Sequence, residues 1–476
     1  MTTLAVPEGF RAIGQVAHTD DGVFSLVRDS EYRTFLLVNG EVTGFTGTSI
    51  GGSILCPLTP ENARALARQL PWLAPQRIPA GRPSFGFGDR LGMATPGHVR
   101  SLTGYDVFPV FAQQSVRENE RTGRSFAEVL ADATFGVFRE GYVQGFGADA
   151  DHLKNLADAE DAARAGFTFF TCDPGDHVQV TESMNPDELR SAFSALPLAK
   201  DWERRFLNRM FQVGEATSLH FKEEDLCRAG VKYGRAIEHA ANMYSRLSEL
   251  LPDGFDYEVS VDETESPTTS LEHLFVALEL RRRGVEFISL APRFIGAMEK
   301  GVDWRGDLDQ FKADLLSHAA IARCMGGYRL SLHSASDKFS LYALFAEATG
   351  GCCHVKTAGT SYLVALDVLA SKEPQLFREI ADFSLAAFAE DKATYHISAD
   401  VSRISPLESF DDAKLPQLVA AHDSRQVLHV AYGSVLNSSF GERLVRAILD
   451  HEDEHLTALV DHLGRHIQGL GGGVHE

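Results

Sequence analysis

Six short apolar runs in this chain each end in residues able to do chemistry. They are Tyr257-Glu-Val-Ser-Val-Asp262-Glu, Tyr328-Arg-Leu-Ser-Leu-His333, Gly141-Tyr-Val-Gln-Gly-Phe-Gly-Ala-Asp149-Ala-Asp151-His152, Gly166-Phe-Thr-Phe-Phe-Thr-Cys-Asp173, His354-Val-Lys356-Thr and Tyr395-His-Ile-Ser-Ala-Asp400. An imidazole beside a carboxylate, as at Asp151-His152, offers a metal ligand next to a proton acceptor. His333, followed by Ser334, Ser336, Asp337 and Lys338, offers a second nitrogen ligand. A third ligand is expected to be a carboxylate from another run's tip, and Glu299 is available there. Two imidazoles, one carboxylate and open positions suit a catalytic divalent cation such as zinc, manganese, nickel or cobalt. Spacing alone leaves alternatives open: Asp151 also reads as a helix cap, and Glu258 as half of a structural ion pair.

These residues need elements to position them. Strand alternation puts Glu258, Ser260 and Asp262 on one face, and Arg329, Ser331 and His333 on one face. Such groups, if buried, must pair, bind metal or react, because an unpartnered buried charge is very costly. From residue 84 onward apolar runs alternate with helical stretches, and eight strands are predicted at 84–88, 108–113, 141–146, 167–172, 257–261, 286–290, 328–332 and 352–356. A further run at 395–398 reads as an extra strand. Buried parallel strands with polar tips predict an α/β fold, a (β/α)8 TIM-type barrel, with a small N-terminal α/β appendage and a helical insertion. The expected division is 1–80 for the appendage and 81–476 for the catalytic barrel, with the insertion at 180–250. In the appendage, strands are predicted at 23–27 and 34–38 and a helix at 60–70. The segment 440–467 reads as a charged, solvated helix, and 469–476 as a glycine-rich tail.

At 476 residues the chain is long enough for a full barrel and additions. Its formal net charge of -21 argues against nucleic acid, which needs a cationic face. No stretch is apolar for the length a membrane span requires. The first residues carry no basic segment followed by an apolar one, and the six cysteines show no paired spacing; both predict a cytoplasmic address and free thiols. The expected partner is a small molecule; neither nucleic acid nor a membrane is expected, and the sequence is silent on oligomeric state.

Other motifs have plainer readings. His451-Glu-Asp-Glu-His455 matches the zinc-protease pattern H-E-x-x-H, but a densely charged helix explains it. The glycines at 43–53 and 86–92 fit turns better than phosphate cradles. Lys356, on a strand, has the placing of a Schiff-base aldolase lysine, which would need a lowered pKa. A non-catalytic sugar-binding protein is the remaining alternative.

The segments Phe87-Gly-Asp-Arg-Leu-Gly92, Phe111-Ala-Gln-Gln-Ser-Val-Arg117-Glu-Asn-Glu-Arg-Thr-Gly-Arg124, Gly145 to His152, Glu258-Val-Ser-Val-Asp-Glu-Thr-Glu265, Ser331-Leu-His-Ser334, His354-Val-Lys-Thr-Ala-Gly-Thr-Ser-Tyr362 and Tyr395 to Asp400 resemble, in order, the tagaturonate/fructuronate epimerase family. The resemblance runs from about residue 84 to about 436 and carries nothing over residues 1–80. It implies a metal-dependent epimerase that interconverts D-tagaturonate and D-fructuronate, or the neutral ketohexoses tagatose and fructose, by inverting one carbinol carbon. It also implies that His152, Glu299 and His333 hold the metal, with Asp151 as proton acceptor and Glu258 as proton donor. Ala297 and Met298 stand where the family has an acidic and an aromatic residue, a departure beside Glu299. For the substrate carboxylate, Arg117, Arg293, Lys338 and Lys356 are the cations at strand tips; Lys356 and then Lys338 are the expected anchors, although each also reads as a structural ion pair.

Overall fold

The computed structural model describes residues 5–214 and 217–471. Residues 472–476 of the glycine-rich tail lie outside the described residues. Ahead of the barrel, β1 (Phe10–His18), β2 (Gly22–Asp29), β3 (Thr34–Gly40), β4 (Thr48–Ile50) and β5 (Ser53–Pro57) form an antiparallel sheet in the order β1-β2-β3-β5-β4. Two of these strands and the following helix, Pro60–Gln69, match the sequence expectation; β1, β4 and β5 were not anticipated. Phe24, Leu36 and Val38 of this sheet belong to the same apolar core as Phe85, Phe111 and Phe138 around the barrel.

Eight parallel strands close the barrel: β6 (Ser84–Phe87), β7 (Phe108–Ser115), β8 (Gly147–Leu153), β9 (Phe169–Cys172), β12 (Asp256–Val261), β13 (Ser289–Pro292), β14 (Arg329–Leu332) and β15 (Cys353–Thr357). A small hairpin, β10 (Met210–Gln212) and β11 (Ser218–His220), lies between β9 and β12 with three helices, the longest being Glu223–Leu250. The (β/α)8 class is therefore observed. The strand predicted at 141–146 is displaced: that stretch leads into β8, which itself carries Asp149, Asp151 and His152. Residues 395–398 form no strand and belong to a loop over the barrel mouth.

Local chemistry sets where helices begin. Ser115 caps Val116–Thr122 directly beyond β7, and Thr269 caps Ser270–Arg282 beyond β12, each paired with a glutamate three residues on. After β15 the chain turns wholly helical, and 360–450 builds a second apolar cluster centred on Leu366, Phe377, Leu428 and Ile448.

The C-terminal segment departs from expectation. It forms two helices, Ser439–Asp450 and Glu452–Gly469, and the second buries Leu456, Leu459, Leu463, His466 and Ile467. It packs against Thr95–Ser101 at Gly97, where a Cβ would stand 2.6 Å from Leu459. A solvated helix is thus excluded, and the H-E-x-x-H pattern is dismembered. His451 precedes the helix and bonds Glu373 at 3.1 Å, while Glu452 accepts from Arg28 at 2.9 Å and Arg139 at 2.7 Å. Burial pushes the His455 imidazole down to about 4.

Glu452 ties this helix to β2 and to the helix Phe126–Glu140. Burial opposes its ionisation, but the hydrogen bonds from Arg28 and Arg139 prevail and lower its pKa from 4.5 to about 2. A depressed carboxylate stabilises the fold fully above its unfolded value, and that stability is lost as pH falls towards the folded one. Glu452→Gln should therefore cost about 2 kcal/mol at pH 7, a partly buried pair lying between surface and core values. Urea titrations at falling pH should show the gap to wild type shrinking below pH 4.5; a gap independent of pH would contradict the assignment.

Candidate active site

The barrel floor is organised around one ammonium. Lys356 Nζ, on β15, lies 2.6 Å from Asp149 and 2.9 Å from Asp151 on β8, 2.9 Å from Glu258 on β12 and 2.5 Å from Thr171 on β9. All five residues are buried. The register places them together, since Thr171 is paired with Glu258, and Gln113 with Asp149. Burial acts to deprotonate Lys356, but Asp149, Asp151 and Glu258 outweigh it and raise its pKa. One ammonium does not balance three carboxylates, however. Burial, with Asp151 and Glu258 adding and Lys356 opposing, pushes Asp149 up to about 7.

Above this floor two imidazoles face each other, ring centres 5.0 Å apart. His333 Nε2 is 2.6 Å from Glu258 Oε1, and its Nδ1 is 3.3 Å from Asp262. His152 Nδ1 is 2.9 Å from Asp151, with its Nε2 3.8 Å from Asp262 and 4.0 Å from Glu263. Successive strand residues normally face opposite ways. Here the register slips between Ala150 and Leu153, and His152 takes a left-handed backbone, φ 53°. That bulge lets Asp151 and His152 address the same cavity, a strained arrangement costing on the order of 1–3 kcal/mol.

The electrostatics favour a cation at this point. Burial works to lower both imidazoles, yet Asp151 pushes His152 up to about 10, and Asp262 pushes His333 up to about 9. Despite burial, Asp151 stays well below the usual carboxylate range because of His152 and Lys356, and Glu258 does so because of Lys356 and His333. Asp151, His152 and His333 each offer a ligand atom, all within 4.8 Å of one another.

Two expected residues, Glu299 and Lys338, stand apart from this group. Glu299 lines the same cavity as His333, but its carboxylate is held by Ser398 at 2.6 Å, Gln426 at 2.9 Å and Arg305. Lys338 does not reach the cavity with a free ammonium. Its Nζ donates to the carbonyls of Glu299 (2.8 Å), Val302 (2.5 Å) and Ser336 (3.1 Å), using all three protons as a brace. Burial pushes it down to about 7. Lys356 is likewise consumed by its carboxylates, so the geometry supports neither lysine as a carboxylate anchor. A raised Lys356 pKa is also the reverse of what an imine-forming lysine needs. Arg329 lies at the opposite end of the barrel, donating to the carbonyls of Pro79 and Arg82.

A cavity of about 480 Å³ opens above His333, bounded by Asp262, Glu263, Glu299, Lys300 and Tyr395. A second, of about 440 Å³, reaches Asp151 and His152 and shares Arg117, Glu263, Lys300 and Tyr395 with the first. Sequence reasoning passed over Asp149, Glu263 and Lys300 as site residues. The only signal for them was adjacency to Asp151, Asp262 and Glu299 in the polar runs.

Comparison with known proteins shows the family and the fold. The family model described as UxaE, tagaturonate epimerase, matches residues 15–470. The chain belongs to the tagaturonate epimerase family. A relative from Thermotoga maritima, named tagaturonate/fructuronate epimerase, is 50% identical over 420 residues, 88% of this chain and 86% of its own. Crystal structures of the fructuronate-tagaturonate epimerase UxaE from Cohnella laeviribosi, native and with one glycerol bound, superpose with a TM-score of 0.92 at 36% identity, covering 96% of this chain and 95% of theirs. The match to the tagaturonate epimerase model takes in most of the N-terminal sheet, where the sequence motifs carried no resemblance.

Replacing Lys356 by Met should leave three buried carboxylates without their cation. A loss of about 3–5 kcal/mol is expected in chemical denaturation. A loss below 1 kcal/mol would show that the floor is not held by this ion cluster.

Proposed function

We propose that the protein interconverts D-tagaturonate and D-fructuronate at a divalent metal held by His152, His333 and Glu299, with Asp151 and Glu258 handling protons. The observation that carries this reading is the pair of imidazole–carboxylate couples, His152 with Asp151 on β8 and His333 with Glu258 from β12, converging from different walls of one barrel mouth. The donor set of two nitrogens and a carboxylate suits such a cation. Glu258 Oε2 is buried without a hydrogen-bond partner among the described residues, as expected of a group facing a ligand.

A divalent cation, when bound, supplies a Lewis acid for a ketose carbonyl and hydroxyl. The remaining chemistry falls to the side chains. Asp151, held ionised by His152 and Lys356, is suited to accept a proton. Glu258 needs a proton in order to donate one, and its Oε1 lies 2.6 Å from His333 Nε2 and 2.9 Å from Lys356 Nζ. Lys356 fixes both carboxylates and keeps their separation. In this reading the barrel with its insertion, 81–476, is the catalytic unit, 1–80 is an appendage, and the address is cytoplasmic. Among the described residues no helix is long and apolar enough to cross a membrane.

A second ligand set has a specific observation in its favour: Asp262 lies 3.3 Å from His333 and 3.8 Å from His152, whereas Glu299 has to leave Ser398 and Gln426. Metal content of Glu299→Gln and Asp262→Asn separates the two, the true ligand being the one whose loss empties the site.

The reaction is tested by proton NMR with D-tagaturonate, after chelation and after restoring single divalent metals. Conversion to D-fructuronate should require the metal; turnover unaffected by chelation would refute the metal role. His152→Ala and His333→Ala should lose bound metal and activity while staying folded. Glu258→Gln should keep the metal and lose turnover by about 10²–10⁴-fold, and near-normal turnover would return Glu258 to a structural role.

A further inference from the structure

With Lys338 and Lys356 both consumed internally, a sugar acid needs another cation. We infer that Lys300, together with the Ser334 hydroxyl, binds the carboxylate of the substrate and so sets the preference for a ketouronate over a neutral ketose. The inference rests on the epimerase reading above and adds the group that recognises the acid.

Lys300 lines both large cavities and also the small pocket of about 30 Å³ between His152, His333 and Lys356. It is therefore within reach of any molecule seated on the two imidazoles. Its Nζ lies 2.6 Å from Ser334 Oγ, the residue directly after His333. No carboxylate pairs with it at ion-pair distance among the described residues, although the site is crowded with acids and the chain carries a net charge of -21. Arg117, the other cation shared by the two large cavities, is 3.3 Å from Glu263 and stands over the Tyr395 ring.

The backbone that presents Lys300 is fixed on both sides. Lys338 grips the carbonyls of Glu299 and Val302, Arg425 Nε donates to Gly301 at 2.5 Å, and Gln426 reaches the carbonyl of Lys300 at 3.4 Å. Gly296, at φ 86°, passes so close to the Trp304 indole that a Cβ would stand 2.4 Å from Nε1. Burying one lysine to hold a loop is costly, and the loop it holds presents another lysine to the cavity. Such pre-positioning is what an anchor for one end of a reacting substrate requires.

The test compares wild type, Lys300→Met and Lys300→Arg, each loaded with metal. D-tagaturonate is measured by steady-state kinetics and by calorimetric titration, and D-tagatose by inhibition and titration. A charge-assisted contact predicts that Lys300→Met raises the Kd and KM for D-tagaturonate about 10- to 100-fold. Its kcat should fall less than KM rises, D-tagatose affinity should stay within about threefold, and Lys300→Arg should recover most of the loss. Metal content and melting temperature serve as controls, and Lys300→Gln replaces the methionine variant if that fails to fold. Unchanged D-tagaturonate affinity, or an equal loss for D-tagatose, overturns the assignment, as does a wild type that binds no D-tagaturonate. If wild type binds D-tagaturonate but converts none of it under any metal, the reaction reading fails, while the titrations still decide the anchor.

Discussion

At the floor of the barrel a single ammonium faces the carboxylates of Asp149, Asp151 and Glu258, and the rest of the site depends on that concentration of charge. Three acids at such range would repel one another strongly in a medium with little water. Lys356 makes their burial tolerable, and the residual negative charge then sets the state of everything above. It contributes to raising the pKa of His152 and His333, which with Asp151 form a group that could hold a metal ion. The cluster joins β8, β9, β12 and β15, so the chemistry and the closure of the barrel share one set of contacts.

The loops above the strand tips follow a related principle, in which buried polar groups position exposed ones. Lys338 is used up in holding the backbone of Glu299 and Val302. Asp337, itself at φ 62°, is gripped by Arg425 at 2.7 Å and His462 at 2.6 Å, and its N–H donates to His466. The C-terminal helix thereby reaches the segment that follows His333. Its histidines, spaced four apart, are structural partners of a loop.

Much of the candidate site was legible in the polar ends of the apolar runs. Glu258, Asp262 and His333 fall where alternation and strand-end reasoning put them. Asp151 and His152 lie side by side at the barrel mouth, but the strand carrying them is Gly147–Leu153, about six residues later than the predicted one. The run Tyr142-Val-Gln-Gly-Phe146 looks more like a buried strand than Gly147-Ala-Asp-Ala-Asp-His-Leu153 does. Acids make poor strand interiors until a lysine from a distant strand is brought opposite them. The same distant pairing explains why Lys356 and Lys338 read as anchors in the sequence and act as braces in the fold.

By itself the sequence determined the barrel, through the count and polarity of its βα units, and the kinds of side chain gathered at its mouth, through residues at the strand ends. Those are local properties, carried by alternation, capping residues and the solvation cost of buried charge. Only the tertiary structure decided which cations are already neutralised, that Glu299 rests on Ser398 and Gln426 while Asp262 stands between the imidazoles, and that Lys300 stands in the cavity with no carboxylate at ion-pair distance among the described residues. These are pairings between residues tens to hundreds of positions apart. The free energy of an ion pair depends on distance and burial, and neither is written in the local order of residues.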